Sequence, residues 1–547
     1  MSSNLEQEVQ ALEKRGIRAN PYRAGRTMTM SRHGIVASSH MLASQAGLDM
    51  LRSGGRAMDA AVATAATLAV VEPMMTGLGG DVFFLYYEAA TGKVHGLNGS
   101  GRSPQGLSRD YFHSKEKERI DFNSWEAVTV PGAVDAWAAG LSRFGSKSMA
   151  EVLAPAISYA EKGFPLTEIV GLVWRSLASS LEDDPWAKRT YLVNGKAPAV
   201  GSVFKNPNLA ASLKQIASNG PDAFYRGPIA DEIVRYAKES GGFFTMEDFT
   251  EHASAWVEPI SLSYRGYDVF QIPPNGQGIG VLLMLGILEG FDIDFMQHNS
   301  PEYLHLLIEA KKLAYADLVQ WVADPEKNTL PVGGLLSKEY LASRRDLIDP
   351  QKAAVAAEPG LPSGSDTVYL TAIDKEGNAA SFINSIFHPF GAKIVGGETG
   401  ILLQNRGAGF TLESGHLNEY APQKRPFHTI IPGMVLKDGR LYLSYGLMGG
   451  PMQPQGHVQF LMSHLDFGLT IQEAIDVPRF NHLSGLEVRL EHGTPLKTME
   501  ELEKMGHKII PSPGTFFGGA QAILVDPSTG TFFGGSDPRK DGAALGY

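Results

Sequence analysis

The chain has no cysteine among its 547 residues. That excludes a disulfide framework, a cysteine-ligated zinc or iron–sulfur site, and a thiol nucleophile. It leaves the compartment open, because secreted proteins can also lack cysteine. A basic surplus is missing as well: 48 Lys and Arg stand against 59 Asp and Glu, a net charge of −11, which argues against a nucleic-acid partner. No long uninterrupted apolar run occurs. The most apolar stretch, residues 57–75, is Ala-rich and broken by Asp59 and Glu72, so it reads as a buried helix and not a membrane span. The opening MSSNLEQEVQALEKRG carries charge where a secretion signal needs an apolar core. The expectation is a soluble, cytoplasmic protein with no membrane contact.

Internal repeats and low-complexity blocks are also lacking. What remains is a mixed texture. Residues 1–30 read as a polar arm with one short amphipathic helix. Two helical patterns fill 38–73, broken at Ser53-Gly54-Gly55. VFFLYY (82–87) reads as a strand that turns at Thr91-Gly92 into a second one. Helical periods dominate 130–325, as at 149–162, 207–218, 228–239 and 301–323, with short strands at 261–264 and 267–272. Residues 349–366 are a Pro/Gly/Ala/Ser loop, and from Thr367 short strands take over. Antiparallel hairpins are expected at Glu376-Gly377-Asn378 and Lys437-Asp438-Gly439, with helices at 453–466 and 471–477. This order is α+β and lacks regular βαβ alternation.

GLGGDV (77–82) is followed by a strand and not a helix, so its glycines read as a tight buried turn and not a phosphate loop. Three histidine pairs lie seven apart, His33/His40, His298/His305 and His457/His464. No HExxH, HxH or GxSxG occurs. No metal or other cofactor is expected. The most informative place is GSDTVYLTAIDKEGNAASFINS (364–385), where the loop runs straight into a strand at Thr367. Taken alone it is a loop and a strand-initial threonine. The functional alternative is a threonine that becomes a chain N-terminus and uses its own α-amino group as base. That amine has a reference pKa of about 7.7–8.0, suited to neutral pH.

Ordered stretches along the chain decide between these. AVVEPMMTGLGG (69–80), GPDAFYRGPIADEIV (220–234), PPNGQGIGVLLMLGILEG (273–290), DTVYLTAIDKEGNA (366–379), FGAKIVGGETGILLQN (390–405), KRPFHTIIPGMVLKDG (424–439), the MGG at 448–450 and GGSDPRKDGAALGY (534–547) resemble the γ-glutamyltransferase (γ-glutamyltranspeptidase) family of N-terminal-nucleophile hydrolases. The resemblance implies a four-layer αββα sandwich made as one precursor and cut between Asp366 and Thr367. The large segment is then 1–366 and the small one 367–547, together one structural unit. It implies Thr367 as nucleophile, the Gly449 and Gly450 amides as oxyanion donors, and Ser385 as a hydroxyl bonded to the nucleophile. The implied partner is a small amide substrate with a carboxylate. The implied assembly is a heterodimer of processed segments, with a dimer of these as a further state.

The sequence departs from the family around the γ-glutamyl pocket. The family's Thr-Thr-His motif is here Thr367-Val368-Tyr369, and Phe387 stands in place of an asparagine. Arg406 and Gly409 stand where the family binds the α-amino group with acidic or amide side chains, which reverses the charge preference there. His428 and Thr429 replace two carboxylate-binding serines and can still donate hydrogen bonds. Arg102 is the nearest match to the substrate-carboxylate arginine, although ungapped counting from Pro104 puts Ser100 there; a surface salt bridge is its other reading. The family's function is hydrolysis or transfer of a γ-glutamyl or related amide through an acyl-enzyme, as in glutathione metabolism. The departures resemble oxamate-amidohydrolase and cephalosporin-acylase-like members, which keeps a small-acid amidohydrolase or acylase open. An uncleaved binding protein is the alternative of another class.

Overall fold

The computed structural model describes residues 25–355 and 367–547. The arm expected over 1–30 and the loop expected over 349–366 therefore fall largely outside the described residues, as does Asp366. Within them the expected elements form close to their expected limits. The helical patterns become Met41–Arg52 and Ala57–Val71, and all fifteen residues of the second are buried. A uniformly apolar, Ala-rich helix suits close packing on both sides, and it lies against neighbouring helices and the sheet below it.

Two seven-stranded sheets, each antiparallel throughout, carry the architecture. One runs Ala543–Gly546, Ile35–Ser38, Val368–Ile373, Ala379–Ser385, Asp81–Glu88, Lys93–Gly99, Ala255–Val257. The other runs Thr29–Ser31, Phe532–Ser536, Gly519–Val525, Arg440–Met448, Gly433–Lys437, Tyr267–Gln271, Ile260–Tyr264. Both expected hairpins form, joining Val368–Ile373 to Ala379–Ser385 and Gly433–Lys437 to Arg440–Met448. The strands after residue 480 went unread in the sequence. GAQAILV is buried on both faces near the middle of its sheet, so it shows no polar alternation to mark it.

The sheets meet face to face through Val368–Ile373 and Arg440–Met448. Tyr369 packs over Gly446, where an added Cβ would lie 2.4 Å from the ring, and Thr371 Oγ1 is 2.6 Å from Ser444 Oγ. The residues between them, Val368 and Leu370, point the other way into the helical core. Two residues back along the first strand and two forward along the second, the same alternation turns Thr367 to the side of Met448, the residue before Gly449 and Gly450. Gly446→Val should therefore destabilise the protein by about 1–3 kcal/mol through overpacking on Tyr369, whereas Gly333→Ala, in open space, should not. Denaturant unfolding of the two variants checks this.

Candidate active site

Thr367 is buried at the mouth of its strand, and its Oγ1 donates to Ser385 Oγ at 3.1 Å. The hairpin register makes this meeting: Val368 pairs with Asn384, so Thr367, just before one strand, and Ser385, the last residue of the other, are neighbours. Ser385 Oγ also accepts the Phe387 N–H at 2.9 Å and Arg406 Nη2 at 3.1 Å. Arg406 Nη1 donates to Thr429 Oγ1 at 2.8 Å. Thr367, Ser385, Arg406 and Thr429 thus form one hydrogen-bonded chain, drawn from three separated stretches of sequence.

Arg406 is fully buried, and among the described residues no carboxylate lies within ion-pairing distance of it. Its Nε has no acceptor among the described residues. Burial pushes its guanidinium down to about 9, against the opposing pull of Asp81. An unpaired buried cation costs several kcal/mol. Two charge-assisted hydrogen bonds and the Phe387 ring, 4.2 Å away, offset part of that.

Gly449 and Gly450 follow the strand Arg440–Met448 with φ of 122° and 55°. Their carbonyls are engaged: Gly449 O accepts Met452 N, and Gly450 O accepts Gln453 N and Gln277 Nε2, at 2.9–3.0 Å. Their amides donate to no acceptor among the described residues. Two positive-φ residues in succession need glycine, and they leave two N–H groups available ahead of the helix Met452–Leu465. The partial positive charge of that helix end adds to them.

His428 lies under this group. Its Nε2 sits 3.0 Å from Asp81 Oδ2, and its Nδ1 accepts Ile430 N at 3.4 Å, so both ring nitrogens are engaged. Burial first, and Arg406 second, push it down to about 4, although Asp81 opposes them. Asp81 Oδ1 takes Gly101 N, Gly132 N and Gln404 Nε2 at 2.8–3.1 Å. Sequence reading passed over Asp81, and its signal was a carboxylate at the entrance of an otherwise apolar strand. The glycines before it do serve a tight buried turn: a Cβ on Gly79 or Gly80 would meet the Leu402 or Ser385 carbonyl oxygen within 2.2 Å.

Arg102 stands apart from the Thr367 group. It pairs with Glu326 at 2.6 Å and lines a cavity of about 270 Å³ together with Val130, His252 and Lys327. Val130 O in turn accepts Gln404 Nε2, so this cavity backs onto the Asp81 network. The sevenfold-spaced histidine pairs do not converge on each other. Among the described residues one group has metal-binding side chains, His305, Glu309 and His507. There His305 Nδ1 bonds His507 Nε2 at 2.8 Å and Lys312 Nζ occupies Glu309 Oε1 at 2.7 Å, so an ammonium already supplies the positive charge.

Comparison with known proteins gives a consistent result. The Gamma-glutamyltranspeptidase family model matches residues 43–547. The chain is 42% identical to the glutathione hydrolase-like YwrD proenzyme of Bacillus subtilis (strain 168), over 94% of this chain and 98% of that one. It is 35% identical to the oxamate amidohydrolase proenzyme of Klebsiella pneumoniae subsp. pneumoniae, over 95% and 99%. The crystal structure of cephalosporin acylase from Bacillus halodurans superposes with a TM-score of 0.91 at 41% identity, covering 97% of this chain and 98% of that one. No helix among the described residues is long and apolar enough to cross a membrane.

Buried neutral histidines set a pH dependence. His428 is held near 4, and burial pushes His388 and His457 to about 3, against about 6.5 in an unfolded chain. Between those values the unfolded state binds more protons. The stability is therefore full above pH 6.5 and is lost as the pH falls towards 4, by at most about 3 kcal/mol for His428. Thermal melting between pH 8 and 4.5 should show a flat upper region and a fall beginning below pH 6.5.

Proposed function

The chain belongs to the γ-glutamyltranspeptidase family, and from that premise we propose an autoprocessing threonine amide hydrolase or acyltransferase. The observation that carries it is the buried Thr367–Ser385 hydrogen bond, with Gln277 tying Thr429 to Gly450, where the amides of Gly449 and Gly450 meet no acceptor among the described residues. The two facing sheets and their helices are read as the four-layer αββα N-terminal-nucleophile sandwich. Residues 1–366 and 367–547 are its two segments, forming a heterodimer after the cut.

In the intact chain the Thr367 nitrogen is locked in a peptide bond. The hydroxyl attacks the Asp366 carbonyl, the C–N bond breaks as an ester forms, and water hydrolyses the ester. This releases the Asp366 carboxylate and a free Thr367 α-amine. That amine then accepts the hydroxyl proton as Oγ1 attacks the substrate amide carbon. The oxyanion that develops is bound by the Gly449 and Gly450 N–H groups, preorganised because their carbonyls are pinned. The amine returns its proton to the departing nitrogen, leaving an acyl-enzyme. Water or an acceptor amine resolves it, which gives hydrolysis or transfer.

The acyl donor is a γ-glutamyl or related amide. A second reading, a small-acid amidohydrolase or acylase without γ-glutamyl preference, is favoured by Arg406, a buried cation where an α-ammonium group would be repelled. Arg102 and Lys327 then serve the outer cavity, while Thr429 and His428 hold Arg406 and the floor in place.

On a denaturing gel the processed protein should run as bands of roughly 40 and 20 kDa, the outcome expected when the nucleophile is released. Thr367→Ala should remain a single 59.0 kDa chain without amidase activity. A Thr367→Ala chain that still cuts at this bond would sink the assignment. In the processed enzyme kcat/KM should rise with pH through about 7–8, as the free amine loses its proton.

A further inference from the structure

Two glycines in succession have wide backbone freedom, so the Gly449 and Gly450 amides keep one direction only if their surroundings hold them. The three carbonyls of this turn are all held. Gly449 O accepts Met452 N, and Pro451 O accepts the Tyr315 hydroxyl and Gln455 Nε2. Gly450 O accepts Gln453 N at 3.0 Å and Gln277 Nε2 at 2.9 Å. Met452, Gln453 and Gln455 belong to the helix that follows the turn. Gln277 reaches the turn from elsewhere, the loop ahead of the helix Ile279–Leu288.

Gln277 is fully buried, and its backbone is fixed to the segment that carries Thr429. Gln277 N donates to His428 O at 3.0 Å, and His428 N donates to Asn275 O at 2.9 Å. From that base the side-chain amide donates twice, to Thr429 O at 2.6 Å and to Gly450 O at 2.9 Å. Thr429 O has no second donor among the described residues. Thr429 Oγ1 in turn takes Arg406, Arg406 donates to Ser385 Oγ, and Ser385 Oγ takes the Thr367 hydroxyl. Thr367 and the glycine turn thus stand at two ends of one chain of hydrogen bonds. Gln277 is the link that crosses from the Thr429 side to the turn. Every bond in it lies between 2.6 and 3.1 Å, so each link has little slack.

We propose that Gln277 is a positioning residue for the reaction: it sets the Gly449 and Gly450 amides against Thr367 and so governs oxyanion stabilisation, not substrate binding. The inference rests on the acyl-enzyme reading of Thr367. When Oγ1 attacks an acyl carbon, the carbonyl π pair moves onto oxygen and the hydroxyl proton passes to the Thr367 amine. The full charge on that oxygen exists only in the tetrahedral state. Alignment of its donors therefore changes the rate of acylation and leaves ground-state binding alone. Without the Gln277 amide, Gly450 O keeps Gln453 N, and Gln453 Oε1 keeps Ile431 N at 3.0 Å. The turn then survives but loses its tie to Thr429. Removing an oxyanion donor outright costs about 10²–10³-fold, so loosening a pair of them should cost about 30-fold.

The test uses p-nitrophenyl acetate, whose acyl group is too small to need a side-chain pocket, and γ-glutamyl p-nitroanilide on the processed enzyme. Acylation of Thr367 is followed by mass spectrometry and by early p-nitrophenolate or p-nitroaniline release. Gln277→Met keeps the bulk and removes the donors, and Gln277→Glu keeps the shape and puts oxygen against both carbonyls. Gln472→Met is the comparison, because Gln472 is a buried amide outside the Thr367 chain that bonds Ser536 and Asp476. Both Gln277 variants should lower the maximal acylation rate about 30-fold, with the half-saturating concentration within about twofold of wild type. Gln472→Met should lower the melting temperature without lowering that rate. A folded Gln277 variant that cuts itself far more slowly than Gln472→Met counts the same way, since the cut passes through an oxyanion at the same hydroxyl. Gln277 variants that acylate at the wild-type rate, or lose only affinity, overturn the proposal and leave the nucleophile standing. If neither Gln277 variant folds, the residue is structural and the proposal is equally wrong. If neither probe acylates Thr367 in the wild type, the acyl-enzyme reading falls with it.

Discussion

The hairpin of Val368–Ile373 and Ala379–Ser385 is the constraint on which the site depends. Its register is fixed at six Cα pairs and by a turn in which Asp374 holds Asn378. A slip of one residue would turn Thr367 away from the opposing sheet and send Tyr369 off Gly446. Because the strand is buried on both faces, such a slip would also expose one full set of apolar side chains to the wrong layer. Core packing and the placement of Thr367 are thus enforced by the same contacts.

Around the hairpin, electrostatics are arranged by burial. Asp81, His428 and Gln404 form a closed polar floor, with each carboxylate oxygen engaged. Above it, Arg406 keeps its charge with hydroxyl partners and an aromatic face in place of an anion. Leaving a buried cation in this condition is costly, and sites of this kind are found where charge has work to do in binding or chemistry. Gln277 joins the two halves of the arrangement, since its amide bonds both the Thr429 and the Gly450 carbonyls.

Much of the fold was legible because its signals are local. The Ser53-Gly54-Gly55 break, the Thr91-Gly92 turn and the two hairpin turns each need only a few neighbouring residues, and the helices announced their period. The C-terminal strands were not legible: Gly519–Val525 is buried on both faces along most of its length and shows no alternation, and the others are only three to five residues long. Thr367, Ser385, Gly449 and Gly450 could be named from motif stretches, but their geometry could not. The Asp81–His428 pair joins residues 347 positions apart, and nothing near either marks the other. Arg102 shows the converse: a residue singled out by alignment whose structural partner is Glu326 and whose place is an outer cavity.

Strand order has a consequence for the timing of activation. Val368–Ile373 and Ala379–Ser385 lie between Ile35–Ser38 and Asp81–Glu88, and Ala543–Gly546 closes the sheet against Ile35–Ser38. With the proposed cut before Thr367, neither product owns a complete sheet. The N-terminal segment leaving the ribosome first has a gap where the centre of its sheet belongs, and its outer strand waits for residues 543–546. The sheet that positions Thr367 is thus complete only after nearly the whole polypeptide has been translated. A cut at the proposed position would then follow the completion of synthesis, and its nick would release neither piece without tearing a sheet through its middle.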